Sequence, residues 1–127
     1  MEVRRTLAEV AQLTISGESF NLCLANFLDD FNTAPNAARL STEPNLLAPI
    51  LAEQGHVQDA YLAAVAEHLA YTHGFRIPTW VGKENRKLHR PWFASQLAGL
   101  RAVLILESPP AFRARNLFVS ENALSRA

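Results

Sequence analysis

The chain has 127 residues, 49% of them hydrophobic, and its twelve basic and twelve acidic side chains give a formal net charge of zero. A chain of this length buries roughly two-thirds of the surface its unfolded form exposes, and the balance of apolar to charged residues argues against intrinsic disorder. The longest run of bulky aliphatics, Val103-Leu104-Ile105-Leu106, falls far short of the ~20 residues a membrane-spanning helix needs.

Met1-Glu2-Val3-Arg4-Arg5 runs into a polar, Ala-rich pattern rather than a leader's apolar stretch, so no export signal is expected. Cys23 is the single cysteine, which excludes an intrachain disulfide and fits a reducing, cytoplasmic setting. The charges are unevenly placed. Residues 1–63 hold three basic against eight acidic groups, a net −5, and residues 64–127 hold nine basic against four acidic, a net +5. The two halves are therefore complementary, within one fold or between two copies.

In chain order, Thr6-Leu7-Ala8-Glu9 has capping-box spacing and predicts a helix over 6–15. Gly17 ends it. Glu18-Ser19 opens a second helix to about Asn32, with Phe20, Cys23, Leu24, Phe27, Leu28 and Phe31 on one apolar stripe. Asn21, Asn26, Asp29 and Asp30 fall on its solvated side, while Leu22 points away from the stripe. Pro35, Pro44 and Pro49 limit residues 33–54 to short turns of helix. A strong helix over 57–73 follows Gly55, with Leu62, Val65, Ala66 and Leu69 buried and Gly74 as its C′ residue.

Residues 75–93 carry two prolines, a glycine and no periodicity, which predicts an ordered loop anchored by Trp80, Trp92 and Phe93. Residues 94–107 read as a helix apolar on nearly every side through Leu97, Leu100, Val103, Leu104, Ile105 and Leu106, which implies burial all round, either as a central helix or with its end a strand. Ser108 then caps a short helix with proline at its first position, running through Phe112 to about Arg115. Leu117-Phe118-Val119 read as a brief strand and Ser120 as a last cap. The chain as a whole, 1–127, is expected to be a single all-α domain of about five to six helices, with a basic irregular loop and room for one short strand pair.

The five glycines are too dispersed for a phosphate-cradling loop or dinucleotide fingerprint, and no serine sits in a nucleophile elbow. His68 and His73 are about 140° apart on their helix and do not converge on one ion; His73 suits a helix C-terminus, and His68 reads as solvated. His56, near Glu53 and Asp59, reads as a turn cluster suited to capping rather than chelation. No metal, no cofactor and no enzymatic activity is expected. A metal-independent nuclease built on His89, between Lys87 and Arg90, is the enzyme reading set against that expectation. Residues 6–32 fail as a helix-turn-helix because no Lys or Arg lies between Thr6 and Ala38 to meet phosphates.

One constellation stands above background: Arg76, Lys83, Arg86, Lys87 and Arg90 interleaved with Trp80 and Trp92, joined by Arg113 and Arg115. Cations beside aromatics suit a protein contact rich in Arg and Trp. The alternative is a nucleic-acid-binding regulator, with phosphate contacts and base stacking by the 76–90 loop. The neutral whole molecule weakens that alternative, because its field is modest.

Three segments, DAYLAAVAEHLAYTHGFRIPTWV (59–81), RPWFAS (90–95) and ESPPAFRARNLFVSENALSRA (107–127), resemble a group of small bacterial proteins without an established activity. Members of that group are often encoded beside a nucleotidyltransferase-like protein and are suspected of being antitoxin-like partners. The resemblance covers chiefly the C-terminal half and carries no functional residues. It implies a protein-interaction module that masks or regulates a bacterial partner, or associates with itself, through the Trp-rich basic loop and the tail from Phe112 to Leu124.

Overall fold

A computed structural model describes residues 5–94 and 101–120. Six helices and a two-residue parallel strand pair are present among them. Helix α1 (Leu7–Ile15) starts where the Thr6 side chain accepts a hydrogen bond from the Glu9 amide at 3.3 Å. Helix α2 (Phe20–Thr33) starts at Ser19, whose hydroxyl accepts from the Leu22 amide at 3.2 Å. Between them Gly17 adopts a φ of 108°, which a residue with a Cβ resists. All six members of the predicted α2 stripe are buried.

Asp29 is exposed as expected, but the solvated placement expected for Asp30 needs correction. Asp30 pairs with Arg39 of α3 (Ala38–Ser41), a buried side chain. Arg39 also donates to the backbone oxygens of Arg5 (2.7 Å), Asp30 (3.2 Å) and Ala34 (3.1 Å), and it lies over the rings of Phe27 and Phe31. A chain reversal rich in turn residues is thereby tied to the α1–α2 hairpin by one guanidinium.

Helix α4 (Ala48–Thr72) forms the middle of the molecule and starts earlier than the expected residue 57. Its first turn is set off by a kink at Ala52, where φ is 56° and ψ is −130°, a strained combination for any residue but glycine. Two features hold that turn in place. The Asp59 carboxylate accepts from the Leu47 amide at 2.6 Å and the Ala48 amide at 3.1 Å, filling the N-terminal cap from inside the same helix. Gly55 lets the Leu47 backbone approach so closely that a Cβ would meet Leu47 O at 2.4 Å. Leu62, Val65, Ala66 and Leu69 are buried as expected. Gly74 ends the helix at φ 71°, with the Phe75 amide returning to Ala70 O at 2.8 Å. His73 sits at that C-terminus between Phe31 and Phe75. His68 is half-buried rather than solvated, and burial lowers its pKa.

Two 3-10 turns, Thr79–Gly82 and Glu84–Arg86, lead to β1 (Trp92–Phe93). Helices α5 (Arg101–Glu107) and α6 (Pro110–Arg113) lead to β2 (Leu117–Phe118), which pairs with β1 in parallel, Trp92 opposite Leu117 and Phe93 opposite Phe118. The predicted burial of 94–107 on all sides does not hold for its described part. Leu104 is buried, but Val103 is 43%, Ile105 44% and Leu106 81% exposed, because α5 packs on β2 and the central place belongs to α4. The rest of that expectation, Leu97 and Leu100 included, lies outside the described residues, as does the tail from Glu121 to Leu124.

Ser108 is not the predicted helix cap. Pro109 holds the cap position and Pro110 the first helical one. The Ser108 hydroxyl instead donates to Leu117 O and accepts from the Val119 amide, both at 3.0 Å, closing the outer edge of β2 with a side chain. The described core joins α1, α2, α4 and α6 through Leu7, Phe27, Phe31, Leu62, Val65 and Phe112.

The strained turn yields a paired expectation. Gly55→Ala should cost about 1–3 kcal/mol, since the new methyl has only backbone to displace. Ala52→Gly should stabilise by about 1 kcal/mol through relief of strain. Urea unfolding of both variants checks the opposite signs.

Candidate functional site

The cationic loop is built around side chains that turn inward. Arg86 is fully enclosed: it donates to Pro44 O at 2.5 Å and Asp59 O at 3.3 Å, meets the Glu43 carboxylate at 3.1 Å and the Asp59 carboxylate at 3.8 Å. Its guanidinium lies 5.0 Å from the Trp80 ring centroid. Trp80 is buried as well and donates its indole N–H to Leu40 O at 3.1 Å. Arg115 repeats the arrangement, bonding Val81 O at 2.8 Å, Ala111 O at 2.7 Å and the Glu67 carboxylate at 2.6 Å.

Trp80, Arg86 and Arg115 were expected on a contact surface; the structure makes all three internal anchors instead. An arginine is taken out of water at a cost that carbonyls and carboxylates must offset. Residues 43–44 and Asp59 supply them to Arg86, and Val81, Ala111 and Glu67 to Arg115, while the Nε of each has no hydrogen-bond partner among the described residues. The charge of the two halves is matched within the fold at Glu43 and Asp59, which meet Lys83 and Arg86, whereas Arg115 pairs with Glu67 of its own half.

The remaining predicted residues stay outside. Arg76, Arg90 and Arg113 are exposed, and so is Lys83, which reaches Glu43 at 2.7 Å. Lys87, half-buried, is 3.8 Å from Glu84, and Trp92 is half-buried beside β2. His89 is exposed on a cleft of about 570 Å³ that His56, Asp59 and Glu84 also line. The His56 ring is held there by Lys87 O at 3.1 Å. Among the described residues no three His, Cys, Asp or Glu side chains gather in a way that could hold a metal ion. Nor is any described helix long and apolar enough to cross a membrane.

Electrostatics follows burial. The Asp59 carboxyl is pushed up by burial, with the Leu47 and Ala48 amides and then Arg86 pulling the other way. The Glu43 carboxyl is held below its ordinary 4.5, first by the Lys83 hydrogen bond and, after an opposing push from burial, by Arg86. Burial likewise raises the Cys23 thiol, consistent with a small core hydrophobe.

Sequence reasoning missed the exposed apolar side of α5. Its signal was present in Val103-Leu104-Ile105-Leu106, a run equally consistent with a buried helix. Val103, Ile105 and Leu106 lie on a helix that adjoins β2, and β2 adjoins both β1, which carries Trp92, and α6, which carries Arg113. An apolar centre with cations and an aromatic on neighbouring elements has the composition of a protein-contact surface.

No protein-family model, curated protein or solved structure matches this chain.

A pH dependence follows from Glu43. A carboxyl whose folded pKa is depressed contributes stability that is complete above its unfolded value and is lost as pH falls through the folded one. Glu43→Gln should therefore be less stable than the parent at about pH 6, with the difference shrinking toward about pH 3. Urea midpoints across that range measure it.

Proposed function

We propose that the protein is a non-enzymatic protein-interaction module, an antitoxin-like regulator that docks on a bacterial partner protein. The observation that carries this reading is the apolar side of α5, with Leu106 81% exposed and Val103 and Ile105 beside it at 43% and 44%. Contiguous exposed aliphatics are costly to leave in water and mark contact sites. Trp92, Arg90 and Arg113 supply the kinds of side chain that most often anchor such contacts. The resemblance of residues 59–81, 90–95 and 107–127 to small proteins encoded beside a nucleotidyltransferase-like protein supplies the candidate partner.

The nucleic-acid reading draws less from the geometry. Of Arg76, Lys83, Arg86, Lys87 and Arg90, Arg86 is enclosed, Lys83 pairs with Glu43 and Lys87 with Glu84. Phosphate binding scales with the number of free cations, and here that number is small.

Co-expression with the neighbour-encoded protein tests the reading. The pair should co-purify, and Leu106→Asp should weaken the complex at least about tenfold, a loss of about 1.4 kcal/mol, while the circular dichroism of the variant stays at the parent's level. Undiminished binding by Leu106→Asp would remove α5 from the contact. Absence of any complex would remove the partner.

A further inference from the structure

A groove of about 800 Å³ runs between α2, the part of α4 beyond its kink, and the end of the strand pair. Phe20, Leu24 and Leu28, spaced one helical turn apart, form one wall, and Val57 and Tyr61 form the wall facing it. Trp92 and Val119 add to its apolar lining. This volume lies within the roughly 300–1,000 Å³ typical of small-molecule sites. None of the α5 side chains assigned to partner docking lines it.

Gln58 gives the groove its chemistry. It lines the groove one turn after Gln54 and one before Tyr61, and with Gln54 it also borders an adjoining cleft of about 330 Å³ beside Thr14 and Gly17. The residue is only 7% exposed, and its Oε1 has no hydrogen-bond partner. A buried amide oxygen without a donor costs about 1–3 kcal/mol, so folded proteins rarely leave one unmatched. A donor brought in by a bound molecule removes that cost.

The walls define the rest of the ligand. Phe20 and Tyr61 meet edge to face at 6.2 Å and 89°, joining the two walls, and Tyr61 meets Phe112 in the same way at 5.0 Å and 77°, so the aromatic lining is fixed in advance. Glu53 is the one carboxylate lining the groove, and no Lys, Arg or His lines it among the described residues. That environment disfavours an anion and suits an uncharged ring.

We propose that this groove binds a neutral aromatic molecule whose N–H donates to Gln58 Oε1. The site shares Trp92 with the proposed partner contact but none of its α5 side chains, and it needs only this chain.

Indole and indene, of nearly equal size but differing in the N–H, serve as probes. In 1H–15N NMR titrations of the full chain, indole should shift the Leu24, Tyr61 and Trp92 amides saturably, with indene at least about tenfold weaker. In Gln58→Leu, which removes the unmatched oxygen and should raise the melting temperature, the two probes should bind within about twofold of each other. No saturable shift at these residues would overturn the proposal, as would equal affinity of the two probes for the parent chain. Retention of the preference for indole in Gln58→Leu would overturn it too. Gln58→Met gives the same comparison should the leucine variant fail to fold.

Discussion

The architecture depends on the enclosure of the Arg86 guanidinium. It links four parts of the chain: residues 43–44, helix α4 at Asp59, the Trp80 turn, and its own 3-10 turn. Asp59 serves twice, as Arg86's counter-ion and as the acceptor for the Leu47 and Ala48 amides. A charge removed from water is tolerated only when its partners are in place. The loop conformation and the start of α4 therefore specify one another.

The same solution appears at two other places. Arg39 ties α3 to α2 and to the Arg5 backbone, and Arg115 ties the segment after α6 to Val81 and Glu67. Each buried guanidinium satisfies carbonyls of irregular chain together with one carboxylate at least. Hydrophobic stripes assemble the helices, and these arginines hold the non-helical segments against them. What stays exposed is correspondingly specific: Val103, Ile105 and Leu106 of α5, and the cations Arg76, Arg90 and Arg113.

Much of the helical body was legible in the sequence. The Phe20 to Phe31 stripe, the Leu62 to Leu69 stripe and the Gly74 stop depend on local spacing, which sequence displays directly. The all-α class followed from them, whereas of the strand pair only the Leu117-Phe118 half was read as a strand and Trp92-Phe93 as loop; the uneven charge of the two halves was visible as a −5 and +5 division. Which cations would be internal was not legible, because an arginine in an irregular segment reads the same whether it faces water or a carbonyl. Arg86 and Lys87 are adjacent, yet one is enclosed and the other reaches outward. The Ser108 hydroxyl was read as a cap because Ser-Pro-Pro suits one. Its true role, closing the β2 edge, depends on a strand nine residues further on. The start of α4 was hidden for a similar reason, since its cap comes from Asp59 a full eleven positions beyond Ala48.

A double-mutant cycle on Asp59→Asn and Arg86→Met tests the central claim most directly. If the pair holds the loop and the α4 start together, each single change is strongly destabilising, by about 3–5 kcal/mol. The double variant then loses much less than the two combined, leaving a coupling energy of at least about 2 kcal/mol. Additive losses, with no coupling between the two positions, would contradict the account.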